Sequence, residues 1–174
     1  MISLLTRIRL LTARLFAHNK ETVNIDSEAL IQQVRDYVLG HSYNGTFHGI
    51  DHWDRVYQNG QQLLTPEVKP LVVGLFAYLH DACRESDGYD LQHGPRAAVL
   101  VDKLRGALLK DVSDEDIFLL KEACRLHTST HKTGNPTIDA CFDADRLDLG
   151  RVGIIPDPAQ LATEKGKEIA KNQF

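Results

Sequence analysis

Cysteine is scarce in this 174-residue chain, and the three present, Cys83, Cys124 and Cys141, form no CxxC and cannot all pair. A disulfide framework is therefore not expected; the thiols read as reduced packing residues of a cytoplasmic protein. A basic surplus is missing as well. The formal net charge of −4 argues against a general nucleic-acid binder, while leaving room for a small phosphorylated ligand held by a few arginines. No apolar run approaches the roughly 20 residues of a membrane span. Alternating strand patterns, internal repeats, low-complexity tracts and long linkers are absent too. What remains, 43% hydrophobic and 25% charged residues, is ordinary for a soluble globular chain, long enough for one domain with a substantial core.

The periodicity is helical almost throughout. Residues 1–22, "MISLLTRIRLLTARLFAHNK" and the two that follow, place Leu4, Ile8, Leu11 and Leu15 on one face of an amphipathic helix. Arg7 and Arg9 interrupt what would otherwise be the apolar segment of a signal sequence. Such a helix docks on its own domain, on a second subunit in a homodimer, or on a membrane surface, or it serves as a transit peptide; the residues alone do not choose.

From 23 to 174 the pattern gives a single domain, and the chain reads as an all-α bundle of about seven or eight helices. Asp26 and Ser27 offer a cap for the helix carrying Leu30, Ile31, Val34 and Val38, which Gly40 is expected to end. A second helix carries Trp53, Val56 and Tyr57. The run "LVVGLFAYLHD" forms a third, apolar on every side, and "ESDGYD" is a turn. Past Gly94-Pro95 a helix presents Ala97, Val101 and Leu104. Ser113 caps "DEDIFLLKEACRLH", Pro136 starts the helix through "DADRLDL", and Pro158 is expected to start the last.

Six of the eight histidines fall between His48 and His131, interleaved with aspartates. A lone His-Asp pair is expected about once by chance in such a chain, so the clustering is the informative feature. His48 and His52 are spaced i, i+4 and on a helix would share a face. His80 and Asp81 end the apolar run without a spacer. A buried, unpaired carboxylate costs several kcal/mol, so a helix surrounded by protein and ending in Asp81 calls for a cation or dense hydrogen bonding. Asp145 lies beside the apolar face of Ile138, Cys141 and Phe142, whereas Asp143 and Asp148 could pair with Arg146 or Arg151 at the surface.

Taken in order, "HGIDHWDRV", "YLHDACRE" and "DADRLD" resemble the motifs of the HD superfamily of metal-dependent hydrolases. The resemblance covers roughly residues 47–148. It implies an HD-type helical bundle in which His52, His80, Asp81 and Asp145 hold a divalent metal ion. It further gives His48 the protonation of a leaving oxygen and Glu85 a place beside the attacking water, although Arg84 stands where the commoner pattern has its glutamate. His93 and His127 fall where two-metal relatives carry further ligands.

Apart from any family, two imidazoles and two carboxylates with no thiolate suit Mn²⁺, Fe²⁺, Co²⁺, Ni²⁺ or Mg²⁺ better than structural zinc. Asp51 or Asp54 would orient the imidazoles, and Arg84 and Arg96 are candidates for a substrate phosphate, with Arg146 and Lys132 behind them. The reading is a phosphohydrolase that uses a metal-bound hydroxide on a nucleotide or another small phosphorylated substrate, with one ion per chain or two. An HD-type di-iron oxygenase, which would need His93 and His127 to bind iron, and a non-catalytic nucleotide-sensing module are the alternatives.

Overall fold

The computed structural model describes residues 26–173; the amphipathic helix expected over residues 1–22 lies outside them. The described residues form an all-α, single-domain bundle of seven α-helices without a strand. These are α1 (Ser27–His41), α2 (Ile50–Gln62), α3 (Pro70–Leu79), α4 (His93–Arg105), α5 (Asp114–Leu126), α6 (Pro136–Arg146) and α7 (Glu164–Gln173), with 3₁₀ turns at Leu149–Val152 and Pro158–Gln160.

Local chemistry starts several of them. The Ala29 amide donates to Asp26 Oδ1 at 3.1 Å, and the Asp116 amide to Ser113 Oγ at 3.1 Å. Asn135 Oδ1 accepts from the amides of Thr137 (3.0 Å) and Ile138 (3.2 Å) just ahead of Pro136 in the first turn. The amphipathic helices then bury their apolar stripes against α3, which packs on α1, α2, α4, α5 and α6. From Val72 to Leu79 every residue of α3 is buried, which is why its sequence shows no polar face. Large side chains such as Leu75, Phe76 and Leu79 each contribute about 1.5–3 kcal/mol by leaving water, enough to hold a helix whose last turn presents polar groups to the interior. Asp54 binds α2 to both neighbours: its carboxylate accepts from Arg35 Nε and Nη2 of α1, each at 2.8 Å, and from the Tyr78 hydroxyl of α3 at 3.1 Å.

Three local expectations are corrected. Gly40 does not end α1, which runs on to His41. His48 precedes α2 instead of sharing it with His52, since the helix begins at Ile50 after an extended Gly49. Pro158 opens only a 3₁₀ turn. There the carboxylate of Asp143, buried in α6, accepts from the amides of Ala162 (2.7 Å) and Thr163 (2.8 Å). That holds the chain extended at Leu161, and Thr163 Oγ1 caps the final helix by accepting from the Gly166 amide at 2.9 Å.

Candidate metal centre

His52 lies in the first turns of α2 on its buried side, beside Trp53 and Val56. Its Nδ1–H donates to Asp148 Oδ2 at 2.7 Å, and Asp148 in turn accepts from Arg55 Nε at 2.6 Å and Nη2 at 3.1 Å. His80 caps α3, with Nδ1–H shared between the carbonyls of Phe76 and Ala77 at 3.1 Å each. Beyond Leu79 the chain tightens: the Ala82 amide donates to Leu79 O at 3.2 Å and the Arg84 amide to Asp81 O at 3.0 Å. This i to i+3 winding lets adjacent residues turn towards one site, which a continuing α-helix would spread by about 100°.

His93 opens α4 and donates through Nδ1 to the Asp90 carbonyl; His127 caps α5 and donates through Nδ1 to Cys124 O at 2.7 Å. Gly94 makes the meeting of the two rings possible. A Cβ there would stand 2.6 Å from Cys124 O, so only glycine lets the start of α4 come this close to the end of α5.

A carbonyl or carboxylate can only accept. Each of these four Nδ1 atoms therefore carries a proton, and each ring turns its Nε2 inward, a bare lone pair wherever no second proton is bound. The Nε2 atoms of His52 and His80 are 3.2 Å apart, and those of His93 and His127 are 2.9 Å apart. Two acceptors at such distances repel unless a cation or proton lies with them. Asp81 joins the two pairs. Its Oδ2 is 3.7 Å from His52 Nε2, 3.6 Å from His80 Nε2 and 2.8 Å from His48 Nδ1. Its Oδ1 is 3.1 Å from His93 Nε2 and 3.7 Å from His127 Nε2. Asp145 Oδ1 closes the first group, 3.4 Å from His52 Nε2 and 3.9 Å from His80 Nε2.

Donor atoms bound to one small divalent ion at about 2.1 Å lie about 3–3.5 Å apart, close to these separations. Asp81 Oδ1 and Asp145 Oδ1 are buried and lack a hydrogen-bond partner, an arrangement that calls for a cation. The residues fit a metal ion on both counts. The buried His/Asp cluster of the described residues can bind one.

Burial holds His80 neutral, its pKa lowered to about 3. Burial opposes the charge on Asp81, yet the imidazole of His80 and those of His127, His48 and His93 keep its carboxyl well below the usual range. Asp145, likewise opposed by burial, is brought to about 2 by His80, His52 and Arg151.

Comparisons with protein-family models, with curated proteins and with solved structures each return no match. The site is therefore read from its own chemistry.

A cleft of about 490 Å³, lined by His48, Arg84, Asp87, Tyr89, His93 and Thr128 among others, opens beside the cluster. Arg84 lies at the cluster, its Nε 3.0 Å from Asp81 Oδ1. His48, His52, His80, Asp81, His93, His127 and Asp145 are thus brought together with it.

Arg96 and Glu85 are not. Arg96 donates to Cys83 O at 3.1 and 2.8 Å and pairs with Asp90, fastening the turn instead of facing the cluster. Glu85 is exposed on that turn. Arg146 is consumed by the carbonyls of Thr130 (2.7 Å) and His131 (2.8 Å), and Lys132 is exposed.

The imidazole-orienting carboxylate is Asp148, not Asp51 or Asp54: Asp51 is exposed and Asp54 is engaged by Arg35. Sequence reasoning also passed over Arg151 as a site residue. Its Nε donates to Phe47 O at 2.9 Å and its Nη2 lies 3.7 Å from Asp145 Oδ1. Asp87 was missed too; its carboxylate accepts from the amides of Thr46 (2.9 Å), Phe47 (3.2 Å) and His48 (3.1 Å), holding His48 at the cluster. The i, i+3 spacing of Asp145, Asp148 and Arg151 was the only available signal for the first two.

Proposed function

We propose that this chain is a metal-dependent phosphohydrolase of the HD type, acting on a small phosphate ester. The carrying observation is the facing pair of bare Nε2 atoms on His52 and His80 with Asp81 and Asp145 around them. An all nitrogen-and-oxygen donor set supports Mn²⁺, Fe²⁺, Co²⁺, Ni²⁺ or Mg²⁺ as the ion. Such an ion, when bound, acidifies water and polarises a phosphoryl oxygen.

The chain's own residues supply the rest. Asp81 remains ionised and receives the Nδ1–H of His48, so that His48, acting in its imidazolium form, gives the second proton, on Nε2, to the leaving oxygen and is left with Nδ1–H still donated to Asp81. Arg84, on the cleft wall, offers a guanidinium fork to phosphate. The cleft volume of about 490 Å³ lies within the roughly 300–1,000 Å³ of small-molecule sites and suits a substrate of nucleotide size. The nucleotide itself rests on the family resemblance.

The test is elemental analysis joined to a phosphate-release screen of nucleotides with several divalent metals. Asp81→Ala should lose both metal and activity at unchanged helical content. His48→Ala should keep the metal and lose on the order of a hundredfold in rate. Unchanged metal content in Asp81→Ala, or no turnover by the metal-loaded wild type on any phosphate ester, overturns the reading. One observation favours a second reading, a di-iron oxygenase: His93 and His127 meet at Asp81 Oδ1 beside the first group. Two irons per chain with oxygen uptake and no phosphate release would establish it.

A further inference from the structure

Arg84 stands in an unusual position for a substrate-binding arginine. Its side chain is only 10% exposed, and its Nε lies 3.0 Å from Asp81 Oδ1. Neither atom gains a hydrogen bond from this approach, although both are buried. The Nη2 atom is 3.5 Å from His93 Nε2, and Nη1 donates to Gly88 O at 3.2 Å on the cleft turn. The guanidinium is therefore set by charge more than by alignment. It neutralises the same carboxylate oxygen, and touches the same imidazole nitrogen, that would serve a second metal ion.

We propose that Arg84 and a second divalent cation compete for Asp81 Oδ1 and His93 Nε2, so that Arg84 sets whether the chain carries one ion or two. The inference rests on the metal centre alone and not on phosphate hydrolysis. Among the described residues, the arginine beside the first group, His52, His80, Asp81 Oδ2 and Asp145, is Arg151, whose Nη2 stays 3.7 Å from Asp145 Oδ1. The second group has Arg84 directly against it. Two positive charges within about 4 Å, in surroundings poorer than water in screening, oppose each other strongly. A second ion must displace the guanidinium, and the cleft beside it, which Arg84 itself lines, is where the side chain would go. By linkage, an anion that draws Arg84 into the cleft would favour the second ion, and the second ion would free Arg84 for that anion.

The experiment is calorimetric titration of metal-free protein with Mn²⁺ alone, which needs no substrate and no turnover. Wild type should show one tight site and a second weaker by at least about tenfold. Arg84→Gln should tighten the second site on the order of ten- to hundredfold and leave the first within about threefold. Arg84→Lys, which keeps the charge, should leave the second site weak, separating charge from packing. Adding His93→Ala to Arg84→Gln should return the protein to one ion. Two equal sites in wild type, an unchanged or weaker second site in Arg84→Gln, or an extra ion that survives loss of His93 would each overturn the proposal. Melting curves of the metal-free variants guard against a folding defect, and where Arg84→Gln fails to fold, Arg84→Met carries the same expectation.

Discussion

Asp148 decides which nitrogen of His52 faces the cluster. It accepts the Nδ1–H while Arg55 holds both its oxygens, so the His52 ring is fixed in tautomer and rotation before any ion arrives. Asn in its place has one acceptor oxygen for two donors, and its amide turns hydrogens towards Arg55 or His52. Asp148→Asn should weaken metal binding by about 10–100-fold with the fold intact, measured by competition against a chelator. Unchanged affinity would mean that the Nε2 lone pair is directed by something other than this carboxylate. At this scale the sequence was readable in part. The recurrence of histidine and aspartate beside apolar runs drew attention to this stretch, and the resemblance of its motifs to the HD superfamily singled out His52, His80, Asp81 and Asp145. Asp148 did not stand out, because a carboxylate one turn from another shows its role only once the helix end is placed; α6 stops at Arg146, and the turn after it swings Asp148 under His52 instead of out to water.

Between elements, helix ends make the site. His80 and His127 are the C-terminal caps of α3 and α5, and each donates to the carbonyls of its own last turn. The dipole end of a helix, which favours a positive charge, is thereby turned towards the place where a cation would bind. The approach of α4 to α5 has no slack at Gly94. Gly94→Ala puts a methyl against Cys124 O, which belongs to backbone and cannot rotate aside. It should cost about 1–3 kcal/mol in stability, read by denaturant melts. It should also part His93 from His127 and weaken a second metal ion more than the first. A variant as stable as wild type with both ions retained would refute the close approach. The helices themselves were legible, because Asp26, Ser113 and the Asn135-Pro136 pair cap them in ways local chemistry dictates. The last helix was misplaced because its start is set by Asp143, a carboxylate some twenty residues earlier in the chain that takes the amides a continuing helix would have used. Arg96 misled for the same reason: its partner, the Cys83 carbonyl, is exposed to it only by the turn that follows α3.

Over the whole molecule, the cluster draws on α2, α3, α4, α5 and α6, so occupation by metal should be felt as global stability. A ligand that binds only the folded chain adds about 2.7 kcal/mol at a hundred times its dissociation constant. For a chain of this length that raises Tm by roughly 5–10 °C, a rise that a chelator should reverse and Asp81→Ala should abolish. Protons compete with the ion at the same nitrogens, and the two groups should yield at different pH. Burial already keeps His80 at about 3 and Asp145 is held at about 2, so acid reaches these two ligands of the first group only far below neutrality. At His127 burial also disfavours the charge, but the neighbouring carboxylate of Asp81 outweighs it and raises the imidazole above its ordinary value. A proton is therefore held there at a pH where His80 has none, and a second ion must displace it. As pH falls, a doubly loaded protein should lose the ion at His93 and His127 first. Elemental analysis after dialysis at stepwise lower pH should pass through one ion per chain before reaching none; simultaneous loss of both would contradict the assignment of the two groups.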